Sequence, residues 1–145
     1  MLSRFGRGLL HFFLGKRAAS GFAQAAIVFP VLAMLTIGLI NLPVAAFASV
    51  HAANAANYGA RVGSVYQQGA AQAAYAAATS EVSQVSVGSY VVNVSGGGFP
   101  GSTITVRVRW TVPNLVGPML AFFGQGSGSA TITGESVATF RQEGW

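Results

Sequence analysis

The chain has 145 residues, enough for one domain, but 52% are hydrophobic and only 8% charged, where a soluble globular domain carries about 25% charge. Such a chain sits in a membrane or is covered by partners, and the composition is the reverse of a disordered one. The net charge of +5 does not point to nucleic acid: Arg4, Arg7, Lys16 and Arg17 precede the apolar stretch, while Arg61, Arg107, Arg109 and Arg141 are scattered, so no clustered basic face is formed.

Residues 1–19 form a basic leader. Phe5, Leu9, Phe12 and Phe13 recur at roughly helical spacing between the charges. This pattern fits an amphipathic helix on the inner leaflet and equally a charged segment that only sets topology. From Ala18 to Ala60 there is no Lys, Arg, Asp or Glu. About 20 apolar residues cross a bilayer, so 20–50 is expected to be a transmembrane helix. With basic residues before it and few after it, the N-terminus is expected in the cytoplasm and the C-terminal domain outside it. Pro30 and Pro43 lie inside this span, and a kink is expected near Pro30.

Residues 51–81 are rich in alanine, the best helix former. Ala45, Ser49, Ala53, Ala56 and Ala60 follow helical spacing and offer a small-residue face for close helix packing. The helix is expected to run from about 21 to 80, roughly 90 Å at 1.5 Å per residue. Gly59–Gly63 and Gly69 are the places where it would break.

Residues 82–145 read as a small antiparallel β domain, making the fold class α+β. Val85–Val94 is the first strand. The glycine-rich run 95–101 is a turn. In the second strand Ile104, Val106, Val108, Trp110 and Val112 alternate with Thr103, Thr105, Arg107, Arg109 and Thr111, as in a half-buried strand. Pro113–Gly124 is apolar but too short to span a bilayer; it reads as a buried connection, with a surface that touches a partner or the membrane as the alternative. Ala130–Arg141 is the third strand, with a bulge near Gly134 to explain its imperfect alternation.

Catalytic chemistry has little to work with. The acids Glu81, Glu135 and Glu143 lie in different segments, and His11 and His51 flank opposite ends of the span. The absence of cysteine removes disulfides, thiolate metal sites and cysteine nucleophiles. No catalytic residue, metal site or cofactor is expected. His51 reads as an interfacial polar residue, and Glu135 is placed to pair with Arg107 or Arg109.

Three motifs in order carry a resemblance: Gln24-Ala-Ala-Ile-Val-Phe-Pro30; Asn54-Ala-Ala-Asn-Tyr-Gly-Ala-Arg61; and the plan Val106–Val112, Pro118–Gly124, Ala130–Glu143. Together they resemble the TadE/TadG-like pseudopilins of tight-adherence (Flp-type) pilus systems. The resemblance implies a pilin-like fold and a minor structural subunit acting by helix–helix packing in a pilus or related secretion system. Its partners would be other pilin-like subunits and inner-membrane assembly machinery, including a prepilin peptidase cutting between Ala19 and Ser20. The family's glutamate falls at Gln24, which carries no charge, and its usual glycine falls at Ala19. Both departures favour the alternative, a permanently anchored envelope component of a secretion or conjugation complex whose β domain binds a partner protein.

Overall fold

A computed structural model describes residues 16–122, 124 and 128–143. The leader positions up to residue 15, including His11, lie outside the described residues. Contacts divide the chain into two compact units, Met1–Leu39 and Ile40–Trp145.

Helix α1, Lys16–Val65, runs through both units. Its helical backbone continues unbroken across Pro30 and Pro43. Each proline removes one donor, which frees the carbonyls of Ala26 and Leu39. The second of these lies at the boundary between the units. Within the first unit, Thr36 Oγ1 bonds back to the Leu32 carbonyl at 2.8 Å, the usual fate of a hydroxyl in an apolar helix.

In the second unit the expected 90 Å helix does not form. α1 ends at Val65, and Tyr66–Gly69 is a turn with Gly69 left-handed at φ 68°. The chain then re-enters helix α2, Ala70–Ser83. α2 runs back along α1. A Cβ on Gly59 would stand 2.8 Å from Ala78 Cβ, and one on Gly63 would stand 2.7 Å from Ala74 Cβ. The absence of a side chain at both glycines is what lets the backbones approach. The neighbours that an alanine-rich helix needs are thus supplied within the chain.

Three strands follow: β1 Ser89–Gly96, β2 Thr103–Pro113 and β3 Thr131–Arg141. They form one antiparallel sheet in the order β1-β2-β3. The β1–β2 register runs from Ser89↔Thr111 to Gly96↔Ile104. The hairpin turns at Gly96, whose φ of 82° only glycine adopts easily. β1 begins four residues later than the valine-rich run suggests: just past the end of α2, the Val85 N–H still donates to the Val82 carbonyl at 3.2 Å.

The expected bulge in β3 is absent: pairing with β2 is continuous from Thr103↔Arg141 to Pro113↔Thr131. Val137 is simply on the outer face, half exposed. Gly134 faces inward and makes room for Trp110, whose indole ring occupies the space a side chain would take.

The inner face of β2 supplies the bulk of the core, with Ile104, Val106, Val108 and Val112 fully buried. Small residues of both helices complete it: Ala48, Ala52, Ala55, Ala56 and Ala60 on α1, and Ala70, Ala74 and Ala78 on α2. Large side chains from the sheet fill the space that the alanines leave. The outer face carries Thr105, Arg107, Arg109, Glu135 and Thr139. There Arg107 meets Glu135 at 3.9 Å, with both side chains solvated, so this expected pair contributes at most about 1 kcal/mol.

Two buried oxygens lack a partner among the described residues, Tyr90 Oη and Thr79 Oγ1. Burial pushes the Tyr90 phenol above its ordinary 10.0, because the ionised form is the one that desolvation penalises. Its folded-state preference for the proton is intact below pH 10 and is lost as pH rises through the raised value. Tyr90→Phe is expected to stabilise the domain by about 1 kcal/mol and to remove this alkaline loss, read from urea melts at neutral and alkaline pH.

The Pro113–Gly124 connection forms a short helix, α3, Val116–Phe122. It is not buried as expected. Gly117 is enclosed, but Leu115 is about half exposed and Pro118 and Ala121 face outward.

Candidate functional site

The most conspicuous surface of the first unit is the apolar helix itself. Phe22, Ile27, Phe29, Val31, Leu32 and Leu35 are each more than half exposed. At 100° per residue these positions cover about two thirds of the helix circumference, and the remaining side carries Ala23, Ala26, Pro30, Met34 and Ile37, apolar as well. A helix that is apolar all round belongs in hydrocarbon or in a bundle of partners. Ser20–Val65 is one helix long and apolar enough to cross a membrane.

Along the second unit α1 becomes two-sided. Asn41, Ala48, Ala52 and Ala55 turn inward. Ile40, Leu42, Phe47 and Val50 face outward, and the outer side becomes polar at Asn54, Asn57 and Arg61. The packed unit therefore begins at Ile40, within the span read from hydropathy as 20–50.

The sequence-derived positions fall as follows. Ala19 and Ser20 lie inside α1, so the bond between them is in helical backbone. A peptidase that binds an extended segment has to unwind the helix there. Gln24 is exposed on α1 and Pro30 is partly exposed. In the small-residue face, Ala56 and Ala60 are fully buried, whereas Ala45, Ser49 and Ala53 are only partly covered. The buried stripe is rotated by one residue in its first half, to Ala48 and Ala52, because the sheet rather than another helix covers it there. Ser136 Oγ reaches the Ser49 carbonyl at 3.4 Å. Ala56 and Ala60 pack within the chain, and Ala45, Ser49 and Ala53 keep part of their surface exposed.

Sequence reasoning missed Gln142. It is 1% exposed and fully bonded. Its Nε2 donates to the carbonyls of Tyr66 (2.6 Å) and Gln67 (3.3 Å). Its Oε1 accepts from Gly98 N (3.1 Å) and Ser102 Oγ (3.0 Å). One side chain thereby ties the helical hairpin turn to the β1–β2 turn. A glutamine just past the last strand has no spacing or composition signal to mark it.

His51 packs against Phe47 with the two rings tilted at 54° and their centroids 4.2 Å apart. Among the described residues no three His, Cys, Asp or Glu side chains gather as a metal site. Compared with protein-family models, with curated proteins and with solved structures, the chain matches none.

Proposed function

We propose that this protein is a minor pilin-like structural subunit. Its α1 anchors it in the bacterial inner membrane with the N-terminus cytoplasmic, and its β domain stands outside. It acts by packing, without ligand or catalysis: the apolar part of α1 is buried first by lipid and then by the helices of other pilin-like subunits. The observation that carries this reading is the all-round apolar surface of residues 22–39. Apolar burial at about 25 cal/mol per Å² drives both states. The order of motifs shared with the TadE/TadG-like pseudopilins supplies the pilus context.

A second reading keeps the protein permanently in the membrane as part of a secretion or conjugation complex. It is favoured by the uncharged Gln24 and by the helical backbone at Ala19–Ser20, both of which weigh against processing by a prepilin peptidase.

The membrane part of the proposal is tested by Leu32→Arg. An arginine at mid-span costs about 2.5–3.5 kcal/mol on insertion scales. The variant is expected to shift from the carbonate-resistant membrane fraction to the extractable one, with the wild type remaining resistant. An unchanged distribution would remove α1 as the anchor.

A further inference from the structure

Asn41 is the feature the proposed function leaves unexplained. It stands in the most apolar helix of the chain yet is only 6% exposed, and both ends of its amide are used. Its Nδ2 donates to Asn114 Oδ1 at 2.9 Å. Its Oδ1 accepts from the Leu115 backbone N–H at 3.3 Å. Asn114 is in turn the cap of α3, its Oδ1 accepting from Val116 N (3.1 Å) and Gly117 N (3.2 Å). Its Nδ2 donates to the Ser129 carbonyl at 2.8 Å. Asn41 therefore fastens the start of α3 to α1 at one height.

That height is the membrane exit. Counted from Ser20, about 20 residues of helix cross the roughly 30 Å hydrocarbon core, which brings the outer boundary to Ile40–Asn41. The outward side of α1 stays apolar beyond this point through Leu42, Phe47 and Val50, and polar residues take over at Asn54. α3 is held in this same band. Its outward surface is apolar, with Leu115 48% exposed and Met119 and Leu120 partly exposed. No charged residue occurs between Arg109 and Glu135, so the whole connection is free of groups that lipid would reject. The other loop at this end of the sheet, 84–88, is uncharged too; its Gly88 lies against Thr111 and Val112.

We infer that α3 is a membrane-interface element: Leu115, Met119 and Leu120 enter the outer headgroup–acyl boundary, and the Asn41–Asn114 pair sets their depth. The occupant of this surface is lipid, because the exposed apolar side of α1 continues into the same band and the end carries no charge to select a protein or a polyanion. The inference rests on the proposed anchoring of α1. A small apolar helix seated in the interface gives the domain a second foothold beside its anchor. It also holds the Asn41 amide away from hydrocarbon, where an unpaired amide is costly.

The chain lacks cysteine, so single spin labels report cleanly. Full-length protein is reconstituted in vesicles of phosphatidylethanolamine and phosphatidylglycerol. Labels are placed by Leu115→Cys, Met119→Cys, Leu32→Cys and Val137→Cys, and collision rates with oxygen and a water-soluble nickel chelate are compared. The 115 and 119 labels are expected to show an oxygen-to-nickel ratio severalfold above that at 137 and below that at 32. Adding Asn41→Ala is expected to raise the mobility of the 119 label and lower its ratio. If 32 is in lipid while 115 and 119 match 137, the inference is overturned and the anchor stands. If 32 is itself aqueous, the anchor reading fails first. Labels at 115 and 119 shielded from both reagents mean a protein covers α3, which also overturns the inference. The four labelled chains decide the matter even if Asn41→Ala does not fold.

Discussion

Gly63→Leu is expected to dismantle the helical hairpin and lower the stability of the Ile40–Trp145 unit by about 3 kcal/mol or more, at the upper end of overpacking costs. The reason is local. A Cβ at this position meets Ala74 Cβ at 2.7 Å and the Ala70 carbonyl at 2.9 Å, with Ile104 Cδ1 at 3.3 Å. Two of these obstacles belong to the α2 backbone or its first side-chain atom, so no rotamer change relieves them. Gly63→Ala adds only the methyl and regains about 1 kcal/mol of helix propensity. It is expected to remain destabilising, by a smaller margin. Gly38→Leu is the control, since nothing lies within 4 Å of a Cβ there, and its melt is expected to match the wild type. Thermal melts in detergent, followed by the near-ultraviolet signal of Trp110, separate the three.

Gln142→Leu is expected to cost about 2–4 kcal/mol. The substitution removes four hydrogen bonds and leaves the Tyr66 carbonyl and the Gly98 amide without their partner in a part-buried site. An unsatisfied buried group costs about 1–3 kcal/mol. The loss has a specific signature. Exchange of the Gly98 amide is expected to accelerate more than exchange of the β2 core amides, because the turn loosens before the sheet opens. Uniform acceleration would mean that Gln142 only fills volume. Gln142→Glu tests the donor side alone, since it keeps the acceptor for Gly98 and Ser102 but cannot donate to Tyr66 and Gln67.

The parts of this molecule that follow from local pattern are legible in its sequence. Ile104, Val106, Val108, Trp110 and Val112 alternate strictly, and all five are buried. The run from Ala25 is apolar on every side, and none of its residues up to Ile40 is buried. What is not legible depends on which distant segment covers a given face. Alanine at 45, 49 and 53 looks as good a seam as alanine at 48 and 52, and only the docking of the sheet selects the second. Gly59 and Gly63 read equally as helix breakers and as close-packing sites. They act as the latter, and the helix breaks at the other expected place, the turn that ends on left-handed Gly69. The uncharged apolar segment before Gly124 reads as buried first and as a contact surface second, and its helix is surface. Gln142 is silent, because its four partners come from Tyr66, Gln67, Gly98 and Ser102, far from it in the chain.

The central claim, a pilin-like subunit that passes from lipid into a filament, is tested most directly by the intact mass of the protein purified from its native membrane. The account predicts a mass for a chain beginning at Ser20, freed from the leader and able to pass from lipid into a filament. A mass that retains the residues before Ser20 would contradict it, and would leave a permanently anchored envelope subunit in its place.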